Sequence, residues 1–240
     1  MKKDLEIFHV HTYRCKHASD EKDEEYIKKA IDINATKITF TDHAPFPGNP
    51  FGNRMAIEEL LEYVNTLKSL KEKYSNIIDV QIGLEIEYLP SFNNYYKWLK
   101  ESKWFDILMI GQHFYECDKG KYSFNPDNRK SSVYEYDGLS RALIMGMDTG
   151  YFNVIAHPDR MFRECREWTP EMDKISTIVI NKAIDKNIIL EQNLSSMEKE
   201  YQYWIQLWDK VTEEVSIIKG IDAHSVLDLE KVLSDNNIEK

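Results

Sequence analysis

Residues 5–17 read LEIFHVHTYRCKH, an apolar run that ends on two histidines two positions apart, with a third six residues further on. The same design recurs along the chain: residues 38–43 are ITFTDH, 107–113 ILMIGQH, 153–157 NVIAH and 216–224 SIIKGIDAH. His9, His11, His43, His113, His157 and His224 all close such runs, and His17 lies in the loop after the first. Apolar runs separated by helical patterns read as parallel strands, whose C-terminal ends line one face of an α/β fold. Histidines scattered through a core would not all choose the same end of a strand. Imidazole is a common ligand of zinc, iron and manganese, and carboxylates are its usual company. Glu85 in GLEIEY, Asp42 in TDH and Asp222 in IDAH supply them. The pattern points to a metal site holding several ions.

Around these runs the order strand, loop, helix repeats. Strands are predicted at Leu5–His11, Lys37–Thr41, Asp79–Glu87, Asp106–Ile110, Asn153–Ala156, Ile188–Leu190 and Val215–Ile221. Helices are expected over Asp23–Asn34, Met55–Tyr74, a short aromatic stretch after Pro90, 133–148 and Pro170–Lys186, with one more before and one after the last strand. Three prolines and two glycines between Pro45 and Gly52 mark a shaped loop. Phe114–Lys130 lacks periodicity and is expected to be a functional loop, a candidate lid. Seven β units in regular alternation imply a (β/α) barrel or an open parallel sheet, and in a barrel the chemistry sits at the C-terminal strand ends, where the histidines fall. A chain of 240 residues, 42% hydrophobic, with no linker or repeat, is expected to form a single domain over 1–240.

The net charge of −10 argues against a broad nucleic-acid surface, though bound metals would still attract a small phosphorylated substrate. Cys15, Cys117 and Cys165 are too few and too far apart for a disulfide framework. The basic start MKKDLEIFHVH is followed by too short an apolar stretch for a signal peptide, and no run approaches the ~20 apolar residues that cross a bilayer. A cytoplasmic protein without membrane or nucleic-acid partners is expected; the oligomeric state is left open.

Residues two apart on a strand share a face, so His9 and His11 form a two-toothed clamp, as do Asp222 with His224 and Glu85 with Glu87. A carboxylate can bridge two ions, and Glu85, nearer the strand body, is the choice for the bridge. Glu87 is left to support the ligands or to face substrate. Of the adjacent Asp42 and His43, His43 is the better ligand and Asp42 the better supporting partner. Several ions in one hollow make hydroxide available near neutral pH and neutralise substrate oxygens, which together suit phosphate ester hydrolysis. No serine nucleophile elbow, Walker loop or dinucleotide fingerprint competes. Arg160, three residues past His157, is the first candidate to hold a phosphate, with Arg163 and Arg14 behind it.

FHVHTYRCKHAS, TFTDHAPF, GLEIEY, GQHF, AHPD and GIDAH follow one another in the order and spacing of the PHP (polymerase and histidinol phosphatase) superfamily. The HxHTxxCxHxS opening followed by TDHAP is most similar to its histidinol-phosphatase branch. The resemblance spans essentially the whole chain and implies a distorted, TIM-like (β/α)7 barrel with a trinuclear centre of Zn, Mn or Fe. It implies that His9, His11, Glu85 and Asp222 hold one ion, that Glu85, His113 and His157 hold a second, and that His17, His43 and His224 hold the third. Glu85, Asp222 and His113 would serve catalysis, a bridging hydroxide would attack phosphorus, and Arg160, Arg163 and Glu87 would face the substrate. L-Histidinol phosphate is the first candidate substrate; phosphotyrosine or a nucleotide, or a metal-binding regulatory role without turnover, are the alternatives. Where the branch carries Ser-Val before the fourth-strand histidine this chain has Gly111 and Gln112, and where it carries Asp this chain has Glu87.

Overall fold

Strand β1 (Glu6–Val10) forms where four consecutive residues, Ile7 to Val10, are buried, the signature of a strand covered on both faces. It pairs in parallel with β2 (Lys37–Phe40), and β2 with β3 (Asp79–Ile86). The computed structural model describes residues 5–124, 131–163, 165, 167–198 and 202–235. Further along the chain come β4 (Ile107–Ile110), β7 (Val154–Ile155), β8 (Ile189–Asn193) and β9 (Ile217–Gly220), while β5 (Glu116–Asp118) and β6 (Lys121–Tyr122) make a separate antiparallel hairpin. The fold is a distorted (β/α)7 barrel of parallel strands in chain order.

The chain divides into two compact units. The first comprises Met1–Glu85, Ser102–Ile107 and Gly220–Lys240. It contains β1, β2 and nearly all of β3, covered by α1 (Asp23–Asp32) and α2 (Leu60–Tyr74). α1 buries Tyr26, Ile27 and Ala30, the one-sided stripe its spacing predicts. α2 starts later than expected, because Glu59 turns back to accept from the Ala56 N–H at 2.6 Å and the chain first makes a 3-10 turn over Ile57–Glu59. Gly83 sits where strands crowd: a Cβ there would lie 2.9 Å from the Ile107 carbonyl oxygen and 3.0 Å from that of Phe40.

The second unit comprises Ile86–Glu101 and Leu108–Lys219. There β7 pairs in parallel with β4 and with β8. α3 (Asn93–Ser102) buries Tyr95, Tyr96 and Leu99, while Trp98 stays exposed. α4 (Ser132–Thr149) and α5 (Pro170–Lys186) pack together, joined by a 2.7 Å bond between the Tyr136 hydroxyl and Ser176 Oγ. Tyr136, Phe162, Met172 and Leu207 form their core; Leu207 belongs to α7 (Gln202–Trp208), which follows the single-turn α6 (Leu194–Met197). Two short helices thus stand where one was expected before β9. The candidate lid resolves into the β5–β6 hairpin, turned at Gly120 with φ +71°, while its remainder, 125–130, lies outside the described residues. Among the described residues no helix is long and apolar enough to cross a membrane.

Candidate metal centre

In the first unit the backbone ladder continues past the strand ends and carries the candidate ligands with it. Ala223 N–H donates to His9 O, and His11 N–H to Ala223 O, at 3.0 and 2.8 Å. Thr41 N–H donates to Val10 O, Glu85 N–H to Asp42 O and Ala44 N–H to Glu85 O. Four segments, 220–224, 9–11, 41–43 and 85, are thereby fixed edge to edge. The simple alternation expected for His9 and His11 does not hold. The register of β1 shifts between Phe8 and Val10, and His9 takes a left-handed φ of +70°. A bulge, not a plain pleat, brings the two rings together, with Nε2 atoms 2.9 Å apart. Asp222 is also left-handed, at φ +57°, as is His157 in the second unit, at +28°. Conformations that non-glycine residues rarely adopt recur here at candidate ligands, where strain is commonly held in place by function.

The donor atoms converge. His9, His11 and Asp222 present one group, His11, His43 and Glu85 a second, and His17, His43 and His224 a third, each with all donor atoms within 4.8 Å of one another. Cys15, a buried free thiol, lies similarly close to His11 and His224. Its burial pushes the thiol up to about 11, so it stays protonated at neutral pH.

The tautomers test whether these residues fit a metal. His17 Nδ1 lies 2.8 Å from Cys15 O, and His224 Nδ1 lies 2.9 Å from Asp222 O. A carbonyl only accepts, so both Nδ1 atoms carry the proton and both neutral rings present a bare Nε2. Those two lone-pair nitrogens face each other at 2.9 Å. Two acceptors at that distance repel unless a cation lies between them. The separations of His9 and His11 Nε2 from Glu85 and Asp222, 3.3–3.6 Å, are long for hydrogen bonds. They match the ~3.3 Å edge between ligands that each sit 2.0–2.1 Å from one tetrahedral ion. The donor set is that of a divalent-metal site.

Electrostatics agree with ligand duty. Burial lowers the pKa of His11 well below its ordinary value, helped by His43, and burial also lowers those of His17 and His224, so all three remain neutral donors. Burial would raise Asp222, but His9 and His11 outweigh it and hold that carboxyl well below the usual range. Asp42 is wholly buried and accepts from the Thr12 N–H and hydroxyl at 2.7 and 2.6 Å. Burial pushes it up to about 6 against those bonds. Arg14 holds Thr12 in turn and is no phosphate binder: its buried guanidinium donates to Thr12 Oγ1, Asp23 and Glu62. This shell of Arg14, Thr12 and Asp42 fixes the loop between His11 and His17.

The second unit holds His113 and His157, their ring centroids 5.1 Å apart. His113 Nδ1 donates to the buried Glu87 carboxylate at 2.9 Å, which leaves Nε2 as the basic nitrogen. Glu87 therefore turns to His113 and not, as one expectation had it, toward substrate. Gln112 is locked by the backbone: its Oε1 accepts from Tyr88 N and its Nε2 donates to Phe114 O. A cavity of about 440 Å³ is lined by Gln112, His113, Glu135, Leu139, Arg160 and Arg163. Of the three candidate arginines, Arg160 and Arg163 line it and Arg14 does not.

Arg163 is aimed by one residue at the end of β8 and one in α6, neither of which carries a motif in the sequence. Its Nε donates to Ser196 Oγ and its Nη2 to Asn193 Oδ1, both at 2.9 Å. Asn193 Nδ2 donates to the fully buried Glu191, which also accepts from the His157 N–H. A chain of contacts thus joins arginine to histidine. Glu191 ends an apolar run, ILE, as Glu85 does in GLE, and that signal could have found it. Asp159 lies within the AHPD motif and is buried under Trp208, whose indole N–H it accepts; burial raises its carboxyl. Glu135 carries no sequence signal, because it reads as an ordinary acid on a helix.

A family model described as the PHP domain matches residues 8–195. The chain belongs to the PHP family. It is 22% identical over 251 residues to the histidinol-phosphatase of Bacillus subtilis (strain 168), covering 92% of this chain and 94% of that protein. Among solved structures, a candidate histidinol phosphatase from Listeria monocytogenes aligns with a TM-score of 0.75 at 17% identity, over 96% of this chain and 99% of the other. The histidinol phosphate phosphatase of Lactococcus lactis, solved with zinc, L-histidinol and phosphate, aligns with a TM-score of 0.70 at 19% identity, over 96% and 92%.

Proposed function

We propose that this chain is a metal-dependent phosphomonoesterase that hydrolyses L-histidinol phosphate to L-histidinol and phosphate. The observation that carries the reading is the cavity of the second unit, where an imidazole set for metal ligation shares one space with two guanidinium groups. Arginine forks match phosphate oxygens, and an imidazole held by a carboxylate through Nδ1 is the usual form of a metal ligand. The substrate is carried over from the Lactococcus lactis relative, which was solved with L-histidinol and phosphate, and from the Bacillus subtilis relative's activity.

In this reading the chain holds three divalent ions, Zn, Mn or Fe. His9, His11, His17, His43, Glu85, Asp222 and His224 of the first unit supply ligands, and His113 and His157 of the second supply the remaining imidazoles. Bound ions of this kind ionise a water near neutral pH and offset charge on the phosphate oxygens. Arg160 and Arg163 hold the phosphate, with Arg163 aimed by Ser196 and Asn193. Glu85, Asp222 and His113 serve catalysis through the ions they fix, and the carboxylates balance the cationic charge. Glu191, by gripping the His157 N–H and Asn193, keeps phosphate binder and ligand in register.

The test is phosphate release by the Mn-loaded protein from L-histidinol phosphate, p-nitrophenyl phosphate and a phosphotyrosyl peptide. A kcat/KM of ~10⁴ M⁻¹s⁻¹ or more for the first, far above the others, is expected. Preference for the peptide, or equal slow turnover of all three, would overturn the substrate assignment.

A further inference from the structure

The second unit's cavity is lined by unlike charges. Arg160 and Arg163 come from the 3-10 turn after β7, while Glu135 and Leu139 come from α4, four residues apart and so on one face of the helix. Two guanidinium groups suit a phosphate; a carboxylate in the same space does not, since it repels one. An acid in the first turn of a helix is favoured by the helix dipole, but that role calls for neither a cavity nor a dedicated support. Here support is built in. The buried Ser123 donates its hydroxyl to Glu135 Oε1 at 3.2 Å, and its N–H donates to Tyr115 O at 3.0 Å. Tyr115 in turn packs on α4 where Gly138 leaves room: a Cβ at Gly138 would fall 2.1 Å from the tyrosine ring. Hairpin and helix are thus fitted to each other one turn from Glu135.

We propose that Glu135 is a specificity-determining residue that anchors the cationic nitrogen-bearing end of the substrate while Arg160 and Arg163 take its phosphate. The ligand class is an amino-alcohol phosphate, positive at one end and negative at the other, and a cavity of about 440 Å³ is of the size small polar ligands occupy. The assignment rests on the reading of this chain as a phosphomonoesterase, and it adds the group that separates one phosphate ester from another.

Glu135→Gln tests it, because the amide keeps the size and the acceptor for Ser123 and removes only the charge. Kinetics on L-histidinol phosphate and p-nitrophenyl phosphate are compared for both proteins, and L-histidinol binding is measured by calorimetry. The expected result is a roughly 10- to 100-fold loss of kcat/KM on the amine-bearing ester, with a similar loss of L-histidinol affinity. Turnover of p-nitrophenyl phosphate, which has no cation, should stay within about twofold. An equal fall on both esters, or unchanged L-histidinol affinity, would overturn the anchor. A wild-type protein that binds L-histidinol through Glu135 but cleaves neither ester would support the anchor and defeat the phosphatase reading instead.

Discussion

The two units carry their chemistry in different ways. In the first, candidate ligands hang on a continued backbone ladder, so that residue type at a strand end almost suffices to place them: His9, His11, His43, Glu85, Asp222 and His224 are held by hydrogen bonds running from segment to segment. In the second, the cavity is made by side chains that find one another across long sequence distances, as Arg163 finds Asn193 and Ser196 or Ser123 finds Glu135. Ligation built on the backbone tolerates little and is legible. Recognition built on side-chain networks can vary while the chemistry persists, and it is hard to read.

The largest effect should fall on the ladder-held cluster. His9→Ala or Glu85→Ala is expected to lower turnover about 1,000-fold or more and to reduce bound metal, read by elemental analysis of the purified protein. Full activity in both variants would break the multinuclear account. Next comes the buried support behind the cluster. Arg14→Met strips the counter-charge from Asp23, whose side chain is only 5% exposed, and should cost about 3–5 kcal/mol in a denaturant melt. A loss under ~1 kcal/mol would mean that this buried network contributes no more than an exposed ion pair does. Smaller again is the effect on the second unit's network. Arg163→Ala should raise KM about 10- to 100-fold with kcat nearly unchanged, because it binds phosphate in ground and transition states alike. Arg163→Lys should not rescue it, since one ammonium cannot reproduce the fork that reaches Ser196 and Asn193. An unchanged KM in both would remove Arg163 from the phosphate site.

The strand runs and their terminal histidines made the fold class readable from the sequence, because burial on both faces writes a strand as an uninterrupted apolar run and function places a histidine at its end. What stayed hidden was non-local or conformational. The left-handed backbone at His9, His157 and Asp222 leaves no trace in residue type, so the clamp formed by His9 and His11 was assigned to a pleat when a bulge makes it. Arg14 looked like a phosphate binder because nothing local shows that Asp23, nine residues away, and Glu62, 48 residues away, surround it. Glu87 looked free to face substrate until His113 was seen to take it. Glu191 was within reach of the same rule that found Glu85. Glu135 was not, since its meaning lies wholly in what packs around it.

The most direct test is metal removal followed by stepwise return. The protein is stripped with a chelator, and phosphate release from L-histidinol phosphate is followed as Zn or Mn is titrated back against bound metal. Facing lone pairs on His17 and His224 predict that the stripped protein is inactive and that activity rises with occupancy; the proposed trinuclear centre sets the expected plateau at about three ions per chain. Full hydrolysis by the metal-free protein would contradict the account.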